Sequence, residues 1–469
     1  MTSTLAPASP DAPPRRRPIA AVLAAVGIPM FMVTLDNLVV TNALPVIRTE
    51  LNASLADLQW FVNAYTLSFA SLLLTAAALG DRLGRRRLFV AGIALFTAAS
   101  AACALATEPW MLTAARAVQG FGAAAVMPLS LTLLSAAVPE KMRSAAIGIW
   151  GGISGLGVAV GPVVGGAVVD GLSWQWIFWL NVPIGLAVLP FASRVLDESF
   201  GGARKLDILG LVLSAGGVLA LVWGVVHGAD DGWTSAGVLA GLIGGAALLA
   251  AFVAWELRVA QPMLPLRLFG SRTFAAINAT AFLFAVGVFG SIFLLAQFFQ
   301  VVQGYSPFEA GVRTLPWTMA PMVVAPLAGL VVDRIGARTL IVAGQAMLAA
   351  ALAWIALITA TDVSYPAIVP AFVLAGVGMG LTFAPSSTVV MASASAADQG
   401  MASGANNTIR EVGVAMGVAV LASVFAEYGS YVSPAAYVDG LIPAIWTGSA
   451  VVAAAAVAAA MLPRRITAR

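Results

Sequence analysis

The chain is divided into fourteen apolar runs of about twenty residues, and this succession constrains it more than any other feature. A run of that length crosses the roughly 30 Å hydrocarbon core of a bilayer as an α-helix. The runs fall at 19–41, 58–79, 87–106, 110–134, 143–168, 175–195, 207–228, 234–256, 273–300, 309–331, 339–360, 366–389, 402–426 and 441–462. Of 469 residues, 60% are hydrophobic and only 10% charged, whereas soluble domains are about a quarter charged. The expected fold class is an all-α polytopic membrane protein with 14 transmembrane helices and the lipid bilayer as its surroundings. An even number of spans leaves both termini on one side. The opening "MTSTLAPASPDAPPRRR" reads as a disordered tail over 1–18. Basic residues before an apolar run also mark a signal peptide. This run is too long for one, and it reads as an uncleaved first span.

The basic residues choose the side. Of 24 Lys and Arg, twenty fall in the tails and alternate loops that share one face, among them Arg82, Arg85, Arg86 and Arg87 after the second span. Only Arg48 and Arg313 fall opposite, while Arg116 and Arg410 fall inside spans. Positive charge gathers on cytoplasmic loops, so both termini are expected in the cytoplasm. The net charge of +3 is thereby assigned to topology, and no nucleic-acid partner is expected. Cys103 is the only cysteine, within an apolar run, and its expected role is packing.

"DRLGRRRLFVAG" from Asp81 recurs as "DRIGARTLIVAG" from Asp333, an offset of 252. In the fifth and thirteenth runs, Gly148, Gly157, Val158, Ala159 and Gly161 match Gly404, Gly413, Val414, Ala415 and Gly417 at 256. Two matches at nearly one offset argue for a duplicated six-span unit. The expected organisation is an N-terminal six-helix bundle over 19–200, two extra transmembrane helices over 201–258, a C-terminal six-helix bundle over 259–463 and a cytoplasmic tail over 464–469.

The spans carry four sets of residues whose chemistry stands out. "ALGDRLGRRRL" places Gly80, Asp81, Arg82, Gly84, Arg85 and Arg86 in one tight loop. There a carboxylate can meet a helix N-terminus, glycine permits the turn, and arginines can latch onto helix ends or lipid phosphates. "GLGVAVGPVVGG" gives Gly157, Gly161, Pro162, Gly165 and Gly166, small residues that let backbones approach closely and a proline that can kink the helix. Arg116, in "ARAVQGFGAAA", lies about six residues from the outer end of its span, and Asp36, in "TLDNLVVTNALP", about five. A guanidinium within the bilayer is costly, and similar depth allows the two to meet. Burial favours a neutral carboxyl and a nearby cation favours a charged one, so Asp36 is the expected proton carrier; a fixed structural ion pair is the competing reading. "NNTIREVGVAMG" sets Arg410 beside Glu411, about 100° apart on a helix, so one can face a central cavity while the other points elsewhere.

Together these motifs resemble the major facilitator superfamily, and more narrowly its fourteen-span drug:proton antiporters. The loop matches G-x-L-[AG]-D-R-x-G-R-[KR] except that Ala77 replaces the first glycine. The first span matches L-D-x-T-V-V-N-V-A-L-P with Leu38 for Thr and Thr41 where Asn is usual, Asn42 standing next to it. Glu411 replaces the family's usual Gln. Trp174, Trp176, Trp179, Asn181 and Pro183 resemble a W-x-W-x-F-x-x-N-x-P run, whose tryptophans are expected at headgroup level.

The resemblance implies a major facilitator fold in a bacterial cell membrane and a secondary active exporter acting as a monomer. Its partners would be protons and a drug-like small molecule, cationic or lipophilic, with no cofactor and no metal. Asp36, Arg116 and Glu411 would handle protons, the arginine loop would latch one access state, and the glycine motif would form a gate between halves. Asn37, Trp60, Asn63, Tyr65, Gln119, Gln297 and Arg410 are the expected substrate-binding residues. Deprotonated Asp36 would favour cations. The place in span 12 corresponding to Arg116 holds Phe372, so the second half is expected to be the more apolar wall. The runner-up is a transporter of an endogenous metabolite or nutrient. A membrane enzyme finds little support in one His (His227) and one Cys, and a receptor would not need Asp36 and Arg116 at one depth.

Overall fold

The structure, a computed structural model, describes residues 18–201, 206–264, 266–395 and 398–463, without the side chains of residues 140, 141, 144, 145, 229 and 230. Residues 1–17 and 464–469, expected as tails, lie outside the described residues, as do Arg204 and Lys205. With no water in the bilayer core, the backbone must satisfy its own hydrogen bonds, and the chain does so as helices. The first half contains α1 (Ile19–Glu50), α2 (Leu55–Leu83), α3 (Arg85–Ala104), α4 (Pro109–Ala137), α5 (Glu140–Gly171), α6 (Trp176–Trp179) and α7 (Asn181–Val195). The helices α8 (Ile208–Asp231) and α9 (Ala236–Glu256) follow. The second half contains α10 (Arg272–Val301), α11 (Pro307–Arg313), α12 (Leu315–Ile335), α13 (Ala337–Ile358), α14 (Tyr365–Ala392), α15 (Gln399–Tyr428) and α16 (Pro434–Ala460). Together they give 14 helical segments long and apolar enough to cross a membrane.

Two local departures follow from side-chain chemistry. The first helix runs to Glu50, past the apolar window, because hydropathy falls at Arg48 while hydrogen bonding continues through Leu51 N to Ile47 O. The sixth and tenth spans are each broken, at Leu180 and Thr314. Thr314 is capped by three carbonyls of the preceding turn, and Pro316 stands in the first turn of the new helix, where a missing N–H is harmless.

In the first half α2 and α3 pack on α4, and α1 packs on α5; in the second, α10 packs on α15 and α13 on α14. The halves meet through α5 with α11 and through α2 with α15. The extra pair α8–α9 rests on the α2–α15 junction. The duplication is visible in the backbone: Gly84 (φ 109°) and Gly336 (φ 92°) break the chain at the repeated loop, a conformation that favours glycine.

The end of the bundle that carries the arginine loop is called here the basic end, and the other the far end. At the far end Gly166 lies against the backbone of Pro307 and Phe308, and Gly311 against Pro162. Phe308 N also donates to Asp170 at 3.0 Å. Toward the basic end, Gly148, Gly151, Gly152 and Gly155 of α5 have no neighbour within 4 Å, and Val323, Leu327 and Leu330 of α12 are exposed. The α5 and α12 faces thus touch at the far end and part toward the basic end. The α2–α15 contact persists toward the basic end, where Gly404 meets Leu74.

Candidate functional site

Asp36 and Arg116 are brought together in the interior of the first half. The side chains are 1% and 0% exposed, and Arg116 Nη1 donates to Asp36 Oδ2 at 2.5 Å. The other carboxylate oxygen, Oδ1, accepts from Gln119 Nε2 and from Asn181 Nδ2, both at 2.9 Å. Gln119 is held in turn by Arg116 Nη1 at 2.7 Å and donates to Ser100 Oγ at 2.8 Å. Arg116 Nε donates to Phe61 O at 3.0 Å, and its guanidinium lies 4.2 Å from the Tyr65 ring centroid. One carboxylate thereby joins α1, α3, α4 and α7, directly or through Ser100. Such charge-assisted bonds are strong away from water, and together they hold α1 to its neighbours. Arg116 Nη2 has no protein partner.

An apolar cavity lies between the halves, on another side of α1. The first half contributes Leu38, Thr41, Asn42, Val158 and Pro162; the second contributes Phe289, Ile292, Leu295, Trp317, Thr318, Phe372 and Met379, among others. None of its lining residues is charged. Two residues along a helix are about 200° apart, so Leu38 faces the cavity while Asp36 faces away from it. A cation in this cavity therefore meets no carboxylate in its lining, unlike the expectation for Asp36. Trp317 is 3% exposed and its indole N–H has no protein partner. Phe372 packs edge-on against both Trp317 and Phe299.

Asn42 fastens the far side of this cavity. Its Nδ2 donates to Pro162 O at 3.0 Å and to Pro307 O at 2.9 Å, and Gln300 Nε2 donates to its carbonyl at 2.8 Å. Nearby, Gln297 accepts from the Tyr431 hydroxyl at 2.6 Å, and Arg48 lies 4.1 Å from the Tyr431 ring centroid. Burial pushes the Tyr431 phenol above its ordinary range, which keeps it a neutral donor to Gln297.

None of the seven residues expected to bind substrate lines this cavity. Tyr65 and Gln119 belong to the Asp36 network. Gln297 belongs to the far-end contacts. Trp60 packs beside Val222 and Val226 of α8 and Ala415 and Ala419 of α15. Asn63 is fully buried with neither amide atom bonded. Asn37 is half-buried and accepts through its backbone from Thr41 at 3.3 Å. Arg410 and Glu411, expected to diverge, pair with each other at 3.1 Å, because long side chains can fold across the angle between neighbouring positions.

In the arginine loop Arg85 Nε donates to Asp81 at 2.8 Å. The backbone N–H groups of Arg86 and Arg87 donate to Glu198 at 2.9 and 3.2 Å. Glu198, not Asp81, therefore occupies the N-terminus of α3, and it also pairs with both arginine side chains. Gly80 rests against Leu129 of α4, Gly84 against the Glu198 carboxylate, and Arg82 is exposed. In α5, Gly157, Gly161 and Gly165 lie against α1, and Gly166 against α11. Trp174, expected at headgroup level, is buried and donates to Glu50 at 2.9 Å, whereas Trp176 is exposed. His227 stacks on Trp223. Among the described residues no group of His, Cys, Asp and Glu could hold a metal.

Sequence reasoning assigned no role to Asn181 or Ser100, whereas the apolar wall expected of the second half is present, with Phe372 in it. Asn181 stood inside the quoted W-x-W-x-F-x-x-N-x-P run, one turn beyond Ile177. A buried polar residue in an apolar span was the signal available for it.

Comparison with known proteins agrees with this architecture. The Major Facilitator Superfamily model matches residues 26–418. The multidrug resistance protein Stp of Mycobacterium tuberculosis (strain CDC 1551 / Oshkosh) is 41% identical over 87% of this chain and 76% of its own length. The tetracenomycin C resistance and export protein of Streptomyces glaucescens is 34% identical over 90% and 79%. A bacterial homolog of the human lysosomal transporter Spinster, solved inward-facing and unoccupied, superposes with a TM-score of 0.66 at 18% identity, covering 94% of this chain and 96% of that one. The chain belongs to the Major Facilitator Superfamily and is a membrane transporter, not an enzyme.

Proposed function

We propose that this transporter is a proton-coupled exporter of lipophilic, drug-like small molecules, working by alternating access. The observation that carries the reading is the buried Asp36 carboxylate, held by Arg116, Gln119 and Asn181 on one side of α1 while Leu38, Thr41 and Asn42 line the cavity on another. Protonation of Asp36 weakens the hold of α4 and α7 on α1. The helix then shifts, and the same movement alters the cavity lining and the Asn42 contacts to Pro162 and Pro307. Proton and substrate are coupled through one rigid element, each favouring a different state.

The uncharged, aromatic lining supports lipophilic substrates, oriented by the free Trp317 N–H. With the basic end in the cytoplasm, as the arginine distribution indicates, the contact between α5 and α11 closes the outer side and the parting of α5 and α12 opens inward. Arg85, Arg86 and Glu198 hold the cytoplasmic loop, and Glu411 and Arg410 neutralise each other within the second half. The names of the relatives, a multidrug resistance protein and an antibiotic export protein, support export.

The test is energised efflux from everted membrane vesicles, with a panel of neutral and cationic aromatic dyes and with an uncoupler. The account expects uncoupler-sensitive accumulation by the parent and none against a gradient by Asp36→Asn. Accumulation by Asp36→Asn at the parent rate would exclude Asp36 as the proton carrier.

A further inference from the structure

The two helices outside the repeat carry a pair of carboxyl groups at their basic ends. Asp207 caps α8: its Oδ1 accepts from Gly210 N at 2.9 Å and from Trp255 Nε1 at 2.7 Å. Glu256 closes α9, is 3% exposed, and accepts through Oε2 from Leu264 N at 2.9 Å. The remaining oxygens, Asp207 Oδ2 and Glu256 Oε1, are both buried and both without a partner. They converge over Gly210, where an added Cβ would touch Asp207 Oδ2 and lie 2.8 Å from Glu256 Oε1. Both oxygens thus lie within 2.8 Å of one point beside Gly210. Both oxygens are acceptors, and no described group supplies a hydrogen between them.

The surroundings leave that position to a small cation. Asp207 is the only charged group acting on Glu256 among the described residues. Arg258, two positions on, is exposed. The connector presents Met263 and Leu264, and the face of α8 toward α2 and α15 is apolar, with Val222 and Val226. Arg204 and Lys205 precede Asp207 in sequence and lie outside the described residues. Two carboxylate oxygens buried this close together cannot both carry charge without strong repulsion, and each buried unsatisfied acceptor carries a desolvation penalty. One hydrogen ion removes both costs.

We propose that Asp207 and Glu256 bind a single proton between them as an acid–carboxylate pair, taken up from the compartment at the basic end. The pair ties α8, α9 and the connector together. Met263 and Leu264 of that connector line an apolar crevice, where α8 and α9 cover the α2–α15 junction. The bound proton therefore fastens the cover of this crevice. This site is separate from Asp36 and stands whether or not Asp36 drives transport.

The experiment is infrared difference spectroscopy of the purified full chain in lipid nanodiscs, titrated from mildly acidic to mildly alkaline buffer. The parent should show a protonated-carboxyl band that disappears in Glu256→Gln and in Asp207→Asn, and that persists in Asp36→Asn and Lys205→Gln. Thermal unfolding gives a second readout. The folded pair holds a proton that separated carboxylates in the unfolded chain release, so its stabilisation is present at lower pH and is lost as pH rises. The parent Tm should fall across that interval, and the fall should flatten in Glu256→Gln, whose amide can donate to Asp207. The proposal is overturned if both isosteric variants keep the parent spectrum. It is equally overturned if sodium replaces the proton dependence, or if the parent lacks the band and Lys205→Gln alone destabilises the chain, which would make the lysine the neutralising group.

Discussion

The two halves of the duplicated unit bury opposite chemistries at corresponding places. Where the first half has Arg116 in α4, the second has Phe372 in α14; where the first has Asp36 in α1, the same offset of 256 in the second reaches Ile292 in α10. The polar pair faces inward within its own half, and both apolar counterparts line the cavity. One scaffold has thus been divided between a charged network and an apolar cavity wall. The charged network is specified by directional bonds with little slack. The wall presents Trp317 and Phe372, with Phe299 packed behind Phe372, and these rings meet edge-on at centroid distances of 5.4–5.9 Å. Aromatic contacts of this kind tolerate repacking better than a buried ion pair does, which suits a surface meeting varied substrates.

The sharpest break of this comparison is Arg116→Ala. Removing one partner of a buried pair leaves the other charge uncompensated and costs about 3–5 kcal/mol. The variant should unfold at much lower temperature in detergent and should not transport. Asp36→Asn/Arg116→Gln should recover most of that stability without recovering coupling. If the single variant keeps the parent Tm, the network does not hold the first half together.

Phe372→Ala attacks the other half. It removes two ring contacts worth roughly 0.5–1.5 kcal/mol each and widens the cavity. Efflux assays should show KM for bulky aromatic substrates rising by about tenfold, for a binding loss near 1.4 kcal/mol, with uncoupler sensitivity retained. Loss of coupling with an unchanged KM would reverse the division of labour drawn here.

Asn42→Leu removes two bonds between the halves at the far end, Asn42 Nδ2 to Pro307 O and Gln300 Nε2 to Asn42 Oδ1. At about 1 kcal/mol each, their loss should raise the far-end-open population by roughly 5–30-fold. Distances between spin labels at the far ends of α5 and α11 would report it, and an unchanged distribution would mean that the glycine contacts and the Phe308–Asp170 bond keep that end shut without Asn42. The smallest effect is expected for Trp60→Phe. Trp60 packs against α8 rather than the cavity, so KM should change by less than about twofold, within the ordinary range for a conservative apolar swap.

The fold was legible because the bilayer makes it so: a helix must be about twenty apolar residues long to cross, and a duplicated chain keeps its offset. The meeting of Asp36 and Arg116 was legible for a related reason. A charge inside a span is costly enough to demand a partner, and depth from the same surface narrows the choice. Hydropathy could not show which way an apolar side chain points. Phe289, Ile292 and Met379 line a cavity, yet in sequence they look like any lipid-facing residue. Polar side chains misled for the converse reason. Trp60, Asn63 and Tyr65 suggested a binding surface, and the structure turns them toward α8, into the packed interior and under Arg116. Glu198 was unreadable as the partner of the arginine loop, since that contact depends on how the chain after α7 returns across the basic end.

The most direct measurement is substrate-driven proton movement in proteoliposomes, with substrate counterflow recorded on the same preparation. The account predicts that the parent moves protons opposite to substrate, and that Asp36→Asn moves none while still exchanging substrate by counterflow. Parent-like proton movement in Asp36→Asn would contradict it, because the proton would then travel by a route that bypasses the carboxylate between α1, α4 and α7.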